Sequence, residues 1–206
     1  CHYTRTTGIW QTVWMEAVRS GGLMSCRIIP DLDEGRFVFI PRYFSHGAGN
    51  RLEIVLFDEG EKVAETTGAA VDGVPLSVTP GAPKTWEPGT PHLYDVRYRV
   101  LGSDGRIEDE VFAYAGLRKI HWESGRIHLN NKPVYLRLVL DQGFYPDGVW
   151  TAPTDEHLKK DILVSMAAGF NGARLHQKVF EERFHYWADK LGYLTWGESE
   201  IGRAHV

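Results

Sequence analysis

Residues 7–18, TGIWQTVWMEAV, carry a period of two. Ile9, Gln11, Val13 and Met15 alternate with Trp10, Thr12, Trp14 and Glu16, so both faces are bulky. This pattern predicts a strand covered on one side and partly on the other. It is too short to form a domain, and residues 1–26 are expected to close a preceding β domain. From 27 to 115 the chain is a series of short β runs, among them Arg36 to Ile40, Arg51 to Phe57, Leu93 to Val100 and Glu110 to Tyr114. Turn signals punctuate them at Asp33-Glu34-Gly35, Ser45 to Asn50, Asp58-Glu59-Gly60, Asp72-Gly73 and Ser103-Asp104-Gly105. Gly supplies positive φ in such turns and Asp or Asn closes local hydrogen bonds. The spacing predicts an immunoglobulin-like antiparallel β-sandwich.

The period then changes. Val134 to Leu140 reads as an apolar strand and Thr154 to Ala168 as a helix. Thr154 is placed to cap that helix, with Asp155 and Glu156 at its positive end and Gly169 after it. Its apolar stripe is Leu158, Ile162, Met166 and Ala167. Phe170 to His176 reads as the next strand, and Phe180 to Leu191 as a second helix closed by Gly192. Tyr193 to Trp196 begins a third strand. Alternating β and α elements at this spacing predict parallel strands with helical crossovers, the opening of an α/β domain over residues 116–200. Residues 201–206, IGRAHV, match a translated sequencing adapter and are set aside as a probable artefact.

Composition narrows the class. The formal charge of −4 over 206 residues leaves no basic footprint, so nucleic acid is not an expected partner. No apolar run approaches the roughly 20 residues that cross a bilayer, and no membrane partner is expected. The chain begins at Cys1 inside a strand-like stretch, so an N-terminal part is expected to be missing, and the compartment stays open. Cys1 and Cys26 have no metal-type spacing and read as two buried thiols, with a single disulfide between them as the alternative. Seven Trp, nine Tyr and nine Phe suit either aromatic cores or sugar-stacking faces, with cores the simpler reading.

Several stretches resemble glycoside hydrolase family 2, which includes β-galactosidases, β-glucuronidases and β-mannosidases. TGIWQTVWMEAV resembles the closing strand of that family's sugar-binding jelly roll, and WEPGTPHLYDVRYRV (86–100) a run of its sandwich domain. FAYAGLRKI (112–120) resembles the link into its (β/α)8 TIM barrel, and LNNKPVYLRLVLDQGFYPDG (129–148) the first barrel strand and loop. NGARLHQKVFEERFHYWADKLGYLTWGE (171–198) resembles the family's Asn-x-x-Arg signature, with Asn171, Arg174, Asp189, Gly192 and Glu198 in register. It departs at the centre: His176 comes one residue early, and Gln177-Lys178-Val179 replaces the usual His-Tyr-Pro.

The resemblance implies a multidomain β plus α/β chain, a piece of a retaining β-glycoside hydrolase acting on a carbohydrate substrate without a cofactor. Barrel enzymes carry their reactive groups at the C-terminal ends of strands. The candidate substrate-binding residues are therefore Asp141 and Gln142, Arg174 and His176, and Glu198. Sugar hydroxyls both donate and accept, and charged or amide groups suit them. Arg174 could equally be held in an ion pair with Glu198. No metal is expected: Glu198 resembles a metal-binding position of some β-galactosidases, but no ligand cluster accompanies it. His121, His128, His157 and His185 read as surface residues. In the family the two catalytic Glu residues follow barrel strands four and seven, beyond the three strands read here, so no catalytic residue is assigned. A three-stranded opening also presents an unpaired edge and an uncovered apolar face, which favours aggregation. The alternative reading is a non-catalytic carbohydrate-binding β-sandwich protein.

Overall fold

The computed structural model describes residues 7–9, 11–45 and 47–198, which form two compact units. The first unit comprises residues 16–87 and 92–134. Its strands are β1 (Leu23–Asp31), β2 (Arg36–Tyr43), β3 (Arg51–Asp58), β4 (Glu61–Ala69), β5 (Leu76–Val78), β6 (Tyr94–Leu101) and β7 (Ile107–Ala115). They make an antiparallel three-stranded sheet ordered β1-β2-β5 and a four-stranded sheet ordered β4-β3-β6-β7. Strict alternation along β2 and β6 buries Phe37, Phe39 and Tyr43 from one sheet, and Tyr94, Val96, Tyr98 and Val100 from the other, in one shared core. The rings of Phe37 and Tyr94, and of Phe39 and Tyr98, meet edge to face at 5.6 and 5.9 Å. Phe37, Phe39, Tyr43, Tyr94 and Tyr98 are thus core residues, whereas Phe44, Phe112 and Trp122 of the same unit are exposed. Cys26 is a free, half-buried thiol beside that core, and burial raises its pKa; Cys1 lies outside the described residues.

Turn chemistry sets these strands where the sequence placed them. Between β3 and β4 the chain reverses at Glu59 and Gly60, with φ of 53° and 88°. Asp72 accepts the Tyr43 N–H through its carboxylate at 2.8 Å. Two features depart from the expected pattern. Residues 11–19 form no strand, and Ile9, Val13, Trp14 and Met15 stand 67–96% exposed. Alternation supplies faces but no ladder partner, and a strand exists only once its backbone groups are paired; Trp10 and residues 1–6 lie outside the described residues.

The second departure is a small sheet, β8 (Ile120–Glu123), β9 (Arg126–Leu129) and β10 (Lys132–Pro133), ordered β10-β9-β8. The first unit thus runs on to Val134, past the expected close of the sandwich at residue 115. Asn130 ties the small sheet down: its side chain donates to the Trp86 carbonyl at 2.9 Å and accepts from the Lys119 N–H at 3.0 Å. His128, expected at the surface, is buried because it lies on the central strand, its ring stacked on His121 at 5.1 Å.

The second unit contains residues up to Met15, Pro88–Pro91, and the chain from Tyr135 on. Its elements are β11 (Leu138–Asp141), α1 (Asp155–Ala167), β12 (Gly172–Leu175), α2 (Glu182–Leu191) and β13 (Leu194–Gly197). The strands are parallel in the order β11-β12-β13, as the alternation of β and α predicted. Leu158 and Ile162 of α1 and Phe184 and Ala188 of α2 pack with Ala173 and Leu175 of β12. Ala167, assigned to the apolar stripe, is exposed. Thr154 is the N-cap residue but makes no side-chain cap; its hydroxyl bonds His157 Nδ1 at 2.9 Å. Phe180 is buried ahead of α2 rather than within it. Gly192 ends α2 at φ 75°, and a Cβ there would meet Gly89 N at 2.8 Å, so both conformation and space require glycine.

Asn171 sits just before β12 and locks the starts of all three strands. Its side chain accepts the Arg137 N–H at 2.8 Å and donates to the Tyr135 carbonyl at 2.9 Å. Its backbone carbonyl takes the Leu194 N–H at 2.9 Å. Asn171→Ala leaves two backbone groups to find new partners, at a cost of about 1–3 kcal/mol. In urea unfolding, Asn171→Asp is expected to fall between wild type and Ala, since it keeps the acceptor and loses the donor.

Candidate functional site

The pleat of the parallel sheet sorts its side chains. Ala173 and Leu175 face the helices, so Arg174 is delivered to the opposite face. In register, Leu140 of β11, Arg174 of β12 and Trp196 of β13 form one row across the strands. Among the described residues no helix covers this face; Leu140 and Trp196 are each 52% exposed. Together with Leu136, Leu138, Gly197 and Glu198 the row lines a cleft of ≈ 680 Å³. Its walls are apolar, with one charged pair at the C-terminal edge: the Arg174 guanidinium donates to the Glu198 carboxylate.

The remaining expected site residues are placed differently. Asp141 ends β11 and turns its carboxylate into its own loop, accepting the Gly143 N–H at 2.8 Å. Its backbone carbonyl accepts the His176 N–H at 2.7 Å, which extends the β11–β12 ladder by one residue. His176 is half-buried, and its Nδ1 has no hydrogen-bond partner among the described residues, so it keeps unused capacity. Gln142 is half-buried beyond β11. The fold thus joins Arg174 to Glu198 and His176 to Asp141, while neither Asp141, Gln142 nor His176 lines the cleft.

Sequence reasoning missed Lys178, which is 1% exposed. Its ammonium donates to the carbonyls of Gly143 at 3.1 Å and Trp150 at 2.9 Å, lies 3.6 Å from Glu181, and sits 4.7 Å from the Phe180 ring centroid. Burial lowers its pKa against the pull of Glu181 and Asp141. A cation with that many acceptors clamps the loop after β11, which also carries Phe144 stacked on Trp150 at 6.1 Å. A signal existed: Lys178 stands where the chain leaves the family signature, beside Val179 and Phe180 and three residues before Glu181. The cleft-lining leucines and Trp196 were likewise visible only as strand residues, because their face depends on where the helices pack.

The Asp141 carboxyl is pushed above its ordinary range by burial, with the Gly143 N–H opposing. A raised folded pKa means the native state holds the proton more tightly than the unfolded chain. Stability therefore falls as pH rises from about 3.9 through the folded value, and is flat above it. Asp141→Asn keeps an acceptor for Gly143 and does not titrate. Its stability relative to wild type is expected to rise across that window and then level off, read by urea unfolding from pH 3.5 to 8; a constant difference would show no raised pKa.

Residues 27–118 match the family model of glycosyl hydrolases family 2. A β-galactosidase of Lactococcus lactis is 25% identical over 200 residues, covering 96% of this chain and 19% of that protein. One of Aeromonas hydrophila is 25% identical over 213 residues, covering 96% and 20%. The chain thus spans about a fifth of the length of these relatives. Among solved structures, a β-glucuronidase from Ruminococcus gnavus in complex with D-glucuronic acid shares the fold at a TM-score of 0.76. It has 22% identity over 88% of this chain and 31% of its own. A glycosyl hydrolase family 2 member from Bacteroides cellulosilyticus superposes at a TM-score of 0.74 with 21% identity, covering 85% and 26%. With the family model on the first unit and β-galactosidases matching nearly end to end, this chain is similar to glycosyl hydrolases family 2 over most of its length.

Proposed function

We propose that the chain is part of a retaining β-glycoside hydrolase and contributes one side of its substrate pocket. The observation that carries this is the Arg174–Glu198 pair at the C-terminal edge of the parallel sheet, beside the exposed face of Trp196. Parallel α/β sheets bind ligands at that edge. An indole face stacks on a sugar ring, while guanidinium and carboxylate supply fixed donors and acceptors for its hydroxyls. In this reading the seven-stranded sandwich is immunoglobulin-like, residues 7–18 belong to a jelly roll, and β11 to β13 open a (β/α)8 barrel.

Retention of configuration needs two carboxyl groups about 5–5.5 Å apart, one as acid/base and one as nucleophile. The cleft offers a single carboxylate, Glu198, already paired with Arg174. The pair of Glu residues is supplied by other parts of the whole protein, after barrel strands four and seven, and this chain alone does not hydrolyse glycosides. Its role is to orient the sugar.

The whole protein is expected to cleave a chromogenic β-galactoside or β-glucuronide with the β configuration retained in the first-formed product, read by NMR. In it, Arg174→Ala is expected to lower kcat/KM by about tenfold or more, a loss of at least about 1.4 kcal/mol. The same change should alter stability by less than about 1 kcal/mol, because the ion pair is partly exposed. A glycosidase untouched by Arg174→Ala would remove Arg174 from the pocket. A whole protein inactive on every β-glycoside tried would favour carbohydrate binding without catalysis.

A further inference from the structure

We propose that the β8–β9 hairpin holds a single divalent transition-metal ion of the Zn²⁺ type, through His121, Glu123 and His128. The sequence around the turn is His-Trp-Glu-Ser-Gly-Arg-Ile-His. Ser124 and Gly125 both have positive φ, 49° and 75°, the backbone of a tight two-residue hairpin turn. That turn sets the register, pairing Glu123 with Arg126, Trp122 with Ile127 and His121 with His128. With a side-chain period of two, His121 and Glu123 share a face, and His128 joins them from directly across.

Three donors of metal-binding type therefore converge on one side of a short ribbon. One ligand atom from each lies within 4.8 Å of the others, and His121 Nε2 is 3.4 Å from Glu123 Oε2. The imidazole rings are 5.1 Å apart and inclined by 20°. Metal–ligand bonds of about 2.0–2.2 Å bring tetrahedral donors to about 3.3 Å from one another. Rotation of the exposed Glu123 and half-exposed His121 side chains covers that difference with no backbone change.

One detail points past a chance grouping. His128 Nδ1 lies 3.3 Å from the Arg126 carbonyl. A carbonyl only accepts, so this contact puts the proton on Nδ1 and leaves the Nε2 lone pair for a ligand. Metal-binding histidines are oriented by such a bond from the other ring nitrogen.

His128 is also held in place, since β9 is the central strand of its sheet and Pro133 of β10 pairs on its other side. Two imidazole nitrogens and one carboxylate suit Zn²⁺, Co²⁺ or Ni²⁺; Ca²⁺ and Mg²⁺ require oxygen ligands. The charged neighbours are Arg126, which faces Glu123 in register, and Asp33, which is tied to Lys119 at 2.6 Å. Neither is needed as a ligand, and the open position goes to water or an exchangeable group.

Calorimetric titration of the metal-stripped chain with ZnCl₂, repeated with CoCl₂ to read the visible d–d bands, tests the proposal. One equivalent should bind saturably, and Zn²⁺ in excess should raise Tm. His121→Asn and Glu123→Gln alter exposed or half-exposed side chains, so circular dichroism should show the wild-type fold. Each is expected to weaken Zn²⁺ by about tenfold or more. His157→Asn, on α1, should leave binding unchanged. Absence of saturable binding, or a loss smaller than that from either variant, overturns the site.

Discussion

Ala173 and Leu175 are the two fully buried neighbours of Arg174, and the pleat of β12 places them on the face opposite to it. Their packing against α1 and α2 sets what the other face of the parallel sheet presents. A slip of one residue would turn the Arg174 guanidinium into the helix-covered core and bring two apolar side chains out of it. Each buried aliphatic side chain is worth about 1.5–3 kcal/mol, and an unpaired buried charge costs several more, so the register is strongly specified. The row of Leu140, Arg174 and Trp196 and the pair with Glu198 follow from that choice. The cleft is a consequence of burial on its far side.

Lys178 makes the second decision, in the opposite sense. Here a charge is buried, and the fold surrounds it with two carbonyls, a carboxylate and an aromatic face. The lowered pKa shows that desolvation still outweighs these partners. What the arrangement gains is geometry, because one ammonium joins the two ends of the loop that follows β11. At the departure from the resemblance, residues 177–179, Lys178 thus has a structural role as a clamp. Asp141 completes the loop by holding Gly143, which explains why it does not face the cleft.

The sandwich was the more legible half. β2 and β6 alternate cleanly, and the reversals carry residues that need positive φ, as at Gly35, Gly60, Gly73 and Gly105. β4 was harder to see because its nine residues, EKVAETTGA, offer few large apolar side chains, and it is placed by pairing with β3. The small sheet of β8 to β10 escaped because the link into the next domain hid a two-residue turn at Ser124-Gly125. Residues 11–18 show the converse: an alternating pattern that forms no strand, with no partner strand beside it among the described residues.

Local chemistry in the sequence alone determined the antiparallel β and parallel α/β character of the two units, the helix ends at Gly169 and Gly192, and most of the turns between the antiparallel strands. These depend on φ preferences and on side-chain periodicity, which neighbouring residues settle among themselves. Tertiary structure alone decided which face of each parallel strand is covered, that Arg174 pairs with Glu198 while Asp141 turns inward, that Lys178 is buried, and that His121 and His128 stand opposite one another. Those outcomes depend on pairing and desolvation between segments far apart in the chain, and periodicity within one segment carries no record of its partner.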